Sequence, residues 1–140
     1  MTKQARIVKT EGSFLEDTRQ VLESGGLVIS PSTTNYILIC DATSERAVDR
    51  VFEVKQRTQY GPLGIGLPRA ADVPTYVELP EGFPREALDA LFPGEINFIF
   101  KCKYPFPTRL TSGLPTRKED LTQSMATFPP PTTTTFFPSG

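Results

Sequence analysis

The segment from Gly25 to Arg57 restricts the fold more than any other part of the chain. It opens on Gly25-Gly26, runs through the apolar Leu27-Val28-Ile29 to Pro31, and crosses Ser32-Thr33-Thr34-Asn35 into a second apolar run, Tyr36-Ile37-Leu38-Ile39-Cys40. Both runs are unbroken rather than alternating, which predicts strands covered on two faces and therefore helices beside the sheet. Pro31 cannot donate to a strand ladder and should stop the first strand. The loop after it gathers the hydroxyls of Ser32, Thr33 and Thr34 and the phenol of Tyr36, and the next helical pattern closes on Lys55-Gln56-Arg57. Hydroxyl donors facing two cations suit an anionic ligand.

The rest of the chain supplies the helices such a sheet needs. From Ser13 to Glu23 the apolar Phe14, Leu15, Val21 and Leu22 fall on one helical face, Ser13 and Glu16 have the spacing of a capping box, and Gly25 suits a left-handed end. Ser44 can cap a second helix with the stripe Ala47, Val48, Val51 and Phe52, with Val54 near its end. In its last turn Lys55 and Arg57 complement the helix dipole, and because residues two apart do not share a helix face, they converge on one ligand only if the helix ends between them. Leu63-Gly64-Ile65-Gly66-Leu67 reads as a strand whose glycines mark close approach of a ligand or backbone, or else a bulge or weak edge. Pro84 suits the first turn of a short helix burying Ala87, Leu88, Leu91 and Phe92, and Ile96, Phe98, Phe100 and Cys102 alternate as a strand whose more polar face includes Asn97. After Pro105 the pattern breaks and no element is expected.

Composition narrows the function classes. The 140 residues suffice for one domain with a core, and a net charge of −1 from 15 basic and 16 acidic residues gives no overall electrostatic case for nucleic acid. With no histidine and two cysteines, Cys40 and Cys102, each in an apolar run, a thiolate and imidazole metal site is not expected. No signal-like or membrane-spanning apolar run is present, so a reduced, cytoplasmic location is the expectation.

These pieces, in this order, resemble the YrdC-like family of threonylcarbamoyl-adenylate synthases. The resemblance rests on Gly25-Gly26, Pro31-Ser32, Thr33-Thr34-Asn35-Tyr36, Asp41-Ala42, Lys55-Gln56-Arg57, Pro62-Leu63 and Pro93-Gly94-Glu95-Ile96-Asn97, and covers roughly residues 10 to 115. It implies an α/β fold, a twisted mixed sheet with packed helices, incomplete at the C-terminus. It also implies a nucleotidyltransferase that joins L-threonine, bicarbonate and ATP for transfer RNA modification, with Mg2+ accompanying the nucleotide and no metal site in the protein. By resemblance Ser32, Thr34, Tyr36, Lys55 and Arg57 bind substrate, Lys55 and Arg57 bind the nucleotide, and Asn97 is a further candidate site residue. Several positions depart from the family pattern: Ser32 stands for Thr, Thr33 for an acidic residue, Ile37 for Gly and Asn97 for Thr, and the family's later Arg-x-Pro strand and Ser-x-Asn-type loop are not found.

Residues 116–140, with Phe128-Pro129-Pro130-Pro131 and a run of threonines, read as a disordered Thr/Pro-rich tail after a domain at 1–115. Phe and Pro codons begin with two pyrimidines, so the expectation is that splicing, a frameshift or truncation ends the resemblance near Thr116. Two other readings accompany the enzyme. One is a non-catalytic module for double-stranded RNA or tRNA, with Lys55, Arg57, Arg69, Lys101, Lys103 and Arg109 as its basic patch. The other is an inactive fragment with exposed strand edges.

Overall fold

The computed structural model describes residues 5–32, 36–56, 62–92, 97–112 and 124–127. Its first helix, α1 (Phe14–Glu23), stops where the sequence says it should. Gly25 takes φ +72°, its N–H donates to the Leu22 carbonyl at 2.9 Å, and the Gly26 N–H donates to the Val21 carbonyl at 2.8 Å. That pair of bonds is a Schellman motif, which satisfies carbonyls the helix end would otherwise orphan. Gly26 is needed for space: a Cβ there would lie 2.6 Å from the Val21 carbonyl oxygen. The expected capping box does not form. Ser13 makes no side-chain cap, because Glu16 turns to Arg19 and Gln20, at 2.8 and 2.9 Å, rather than back to the helix start.

From the glycine turn the chain enters β1 (Val28–Pro31), which pairs antiparallel with β2 (Tyr36–Ile39) in the register Val28 with Ile39 through Pro31 with Tyr36. The two strands form a hairpin around the loop 32–35. Residues directly opposite share a face, so Ile29, Pro31, Tyr36 and Leu38 form one side and Val28, Ser30, Ile37 and Ile39 the other. The expectation of cover on both sides fails on the first of these: Ile29 is 66% exposed and Tyr36 75%. The unbroken apolar run is therefore no guide to the surroundings of these two side chains.

Helix α2 (Glu45–Lys55) begins as predicted, with the Ala47 N–H donating to Ser44 Oγ at 3.3 Å. Ala47, Val48, Val51 and Phe52 are buried, whereas Val54 points outward and is 61% exposed. The main core lies on this helix. Val48 and Phe52 meet Ile65, Leu67, Val73, Val77, Leu88, Phe92, Phe100, Phe106 and Leu110. Each such side chain taken fully from water contributes about 1.5–3 kcal/mol before entropy is counted.

The elements between follow from that core rather than from local pattern. The expected strand at Leu63 to Leu67 is reduced to a single bridge at Ile65, since the Leu63 N–H is taken by the Leu110 carbonyl at 2.8 Å. A 3-10 turn (Ala70–Asp72) leads into the short α3 (Val73–Tyr76) and then β3 (Val77–Glu78). Helix α4 (Glu86–Leu91) forms where Pro84 predicted it, with Leu88 and Phe92 buried.

Strand β4 (Asn97–Cys102) carries the expected alternation, Phe100 in and Ile99 out, and Phe100 meets Phe83 edge-on at 5.8 Å. Two elements occur where none was expected. Helix α5 (Thr108–Ser112) packs on α2, and β5 (Ser124–Thr127), within the stretch read as a tail, pairs antiparallel with β4. The sheets are thus β1-β2 and β3-β4-β5, and each of the three strand pairings is antiparallel. The expected parallel component of a mixed sheet is not among them. The remainder of the tail, 116–123 and 128–140, lies outside the described residues.

Candidate functional site

The candidate site begins at the open end of the β1-β2 hairpin. Pairing of Pro31 with Tyr36 sets Ser32 and Tyr36 on either side of the same loop, as the sequence required. Ser32 is half-buried, while the Tyr36 ring faces outward. Thr34 falls in the loop and lies outside the described residues.

The other end of the hairpin is anchored by α2. Arg46 donates to the Ser24 carbonyl at 2.9 Å and Arg50 to the Gly25 carbonyl at 3.2 Å. One turn apart, these guanidiniums stand on one face of α2 and meet the carbonyl end of α1, where a positive charge is favoured. Gly25 and Gly26 therefore act in helix termination, as the sequence predicts for Gly25, and in packing against α2; the sequence reading passes over both arginines. The i, i+4 spacing of Arg46 and Arg50 was the available signal.

Lys55 is the last residue of α2, exposed, and without an ion-pair or hydrogen-bond partner among the described residues. The helix ends immediately after it: Gln56 is left-handed, with φ 45° and ψ 43°, and its N–H donates to the Glu53 carbonyl at 3.2 Å. The condition that the helix end between Lys55 and Arg57 is met. Arg57 itself lies outside the described residues. Asn97 opens β4 on a different sheet, opposite Thr127. Ser32 and Tyr36 thus flank one loop, Lys55 closes α2, and Asn97 lies on the other sheet.

Near the hairpin base, Cys40 is partly buried, and burial, followed by the neighbouring Asp41 carboxylate, pushes its thiol up to about 11. Asp41 in turn accepts from the Thr43 N–H and hydroxyl at 2.8 and 2.7 Å, fixing the turn into α2. A thiol held neutral in this way is a packing group rather than a nucleophile.

Three of the basic residues considered for nucleic acid face carboxylates of this chain. Arg69 pairs with Asp72 at 3.0 Å, Lys101 with Glu78 at 2.9 Å, and Arg109 with Asp49 at 2.9 Å. Arg109 also stacks on the Phe52 ring, 4.6 Å from its centroid, so it locks α5 onto α2.

These elements define an α/β protein with a hydroxyl-bearing hairpin and a lysine at the end of the helix that carries the core. A family model, Sua5_yciO_yrdC, described as telomere recombination, matches residues 20–117, and the chain belongs to this family. It is 38% identical over 80 residues to a mouse (Mus musculus) threonylcarbamoyl-AMP synthase, a match covering 57% of this chain and 28% of that protein. The chain resembles Escherichia coli YciO with a TM-score of 0.66 at 18% identity, covering 83% of this chain and 53% of that one. It also resembles a Sua5 variant from P. abyssi with a TM-score of 0.65 at 24% identity, covering 82% of this chain and 33% of that one. It spans less than a third of the length of the mouse relative it matches.

Proposed function

We propose that this chain takes part in threonylcarbamoyl-AMP synthesis, binding ATP, with its Mg2+, and L-threonine through Ser32, Thr34, Tyr36, Lys55 and Arg57. The observation that carries this reading is that the family match at residues 20–117 spans every one of these positions, beside a similarity to a relative named for that reaction. In the reaction the threonine amine attacks bicarbonate and water leaves, giving a carbamate. A carbamate oxygen then attacks the α-phosphorus of ATP, and pyrophosphate departs with the electrons of the broken P–O bond. Such chemistry asks the protein to hold two anions together and to offset charge growing on the phosphates.

The residues suit those tasks. An exposed ammonium at Lys55 without a partner among the described residues is available to a phosphate, and a guanidinium at Arg57 can donate two parallel hydrogen bonds to a carboxylate or phosphate. Ser32 and Tyr36, flanking one loop, can donate to the threonine carboxylate or the carbamate while their carbon surfaces meet its side chain. Asn97, on β4, is assigned no direct role here. The double-stranded RNA reading is weaker, since Arg69, Lys101 and Arg109 already face carboxylates and leave less net positive potential for phosphates.

The test is a thermal melt of the chain with and without ATP, magnesium and L-threonine. Ligand at about 100 times its dissociation constant stabilises by about 2.7 kcal/mol, a shift of several degrees for a chain of this size. Lys55→Ala should abolish most of that shift while leaving the unliganded Tm within about 1 °C, as expected for an exposed side chain. Arg57→Lys keeps the charge and loses the fork, and should weaken ATP binding by roughly tenfold, the worth of one charge-assisted bond. A cooperative melt that no ligand moves refutes the reading; pyrophosphate release dependent on threonine and bicarbonate would extend it from binding to turnover.

A further inference from the structure

Among the described residues, Arg6, Arg19, Arg69, Lys101 and Arg109 each face a carboxylate. Arg46 and Arg50 depart from that pattern. Both reach from α2 to main-chain carbonyls 22 and 25 residues earlier in the chain, those of Ser24 and Gly25, at 2.9 and 3.2 Å. A cation near the C-terminal end of a helix stabilises that helix wherever it sits around the axis. These two sit where the hairpin departs, because β1 starts at Val28, directly beyond the Gly25-Gly26 turn.

The hairpin therefore has two roots on α2. One is covalent: β2 ends at Ile39, and the chain reaches Ser44, the cap of α2, through the turn in which Asp41 accepts from the Thr43 N–H and hydroxyl at 2.8 and 2.7 Å. The other is the pair of guanidiniums, which ties the start of β1 to the side of the same helix. Held at one root, the hairpin is a lever. Strands of four residues extend it by about 13 Å, so a swing of roughly 10° would displace its tip by about 2 Å. Ser32 and Tyr36 stand at that tip, and a misplacement of that size is enough to lose a productive binding geometry.

We propose that Arg46 and Arg50 are positioning residues that hold the hairpin at one setting on α2, so that Ser32 and Tyr36 are presented to L-threonine in a single orientation. The inference rests on the substrate-binding roles proposed above and adds to them the device that fixes the amino-acid end of the site. Lys55 belongs to α2 itself, so nucleotide binding does not pass through the two arginines.

The test is calorimetric titration, with Tm measured for each variant. The nucleotide probe is an ATP analogue with a methylene bridge between the α and β phosphates, added with magnesium; the bridge prevents loss of pyrophosphate and keeps the measurement at equilibrium. L-threonine is then titrated in bicarbonate at saturating analogue. Arg46→Ala/Arg50→Ala should bind threonine about tenfold more weakly than the parent chain and the analogue within about twofold. Leu22→Ala, which removes the buried side chain of α1 and touches neither arginine, serves as a control; it should lower Tm and leave threonine affinity within about twofold. If the double variant does not fold, Arg50→Ala alone decides, with an expected loss of about threefold. Threonine affinity that is unchanged in the folded variants, that falls equally in Leu22→Ala, or that falls together with analogue affinity overturns the positioning role and leaves the substrate reading standing. A parent chain that binds the analogue but not threonine also overturns the positioning role, and one that binds neither overturns both.

Discussion

The α2 to α5 core and the α1 and hairpin layer are built on opposite terms. In the first, Val48 and Val73 have no exposed surface, and the aromatic rings of Phe83, Phe98 and Phe100 stack or meet edge-on within 6 Å. In the second, Leu22 is the one buried side chain of α1, Leu15 remains 48% exposed, and the hairpin turns Ile29 and Tyr36 outward. Polar contacts help join the layers: two arginines on two carbonyls, and a glycine turn that admits them. Hydrophobic burial therefore secures the scaffold, while the segment proposed to meet substrate is held by hydrogen bonds that individually contribute about 0.5–1.5 kcal/mol.

Substitutions can break this contrast, and the largest effect should come from the core. Phe52→Ala removes a buried ring and the surface on which Arg109 rests, and should cost about 3–5 kcal/mol in urea unfolding. Gly26→Ala should come next, at about 1–3 kcal/mol, because a methyl group would press on the Val21 backbone. That loss should appear as earlier melting of α1 and the hairpin; a variant as stable as the parent would show that the turn yields freely.

A smaller effect should follow pH. Folding raises the Cys40 thiol from 9.0 to about 11, so its neutral form favours the folded state; that contribution is complete below about pH 9 and is lost as pH rises through 11. After allowance for partial exposure it is on the order of 1 kcal/mol. Cys40→Ala should flatten the decline in Tm between pH 9 and 11, and an unchanged slope would assign the decline to other groups. Smallest of all, Ile29→Ala should change stability by less than about 0.5 kcal/mol, as expected of an exposed position. A loss near that of Phe52→Ala would mean the hairpin face is covered in solution, and the contrast between the layers would fall.

How much of this was legible in the sequence depends on how local each cause is. The end of α1, the Ser44 cap, the stripe of α2, the helix after Pro84 and the alternation of β4 all rest on residues within a few positions of one another, and each was read correctly. Leu63 to Leu67 was misread because the partner of its backbone is Leu110, far along the chain. Helix α5 was missed among prolines because its stability comes from Phe52 and Asp49 on α2, which no local pattern reveals. In the candidate site, the shared loop of Ser32 and Tyr36 followed from Pro31, but a left-handed glutamine carries no signal in its side chain.

The polar latch between α2 and α1 also sets a timescale. Arg46 and Arg50 can release the Ser24 and Gly25 carbonyls to water while the Phe92, Phe98 and Phe100 rings keep their contacts, so α1 and the hairpin are expected to open before β4. The backbone amides of Val28 to Ile39 should then take up deuterium well before those of Val48 or Phe100. Two lifetimes are expected of the molecule, the shorter one in the strands that flank the loop proposed to meet substrate.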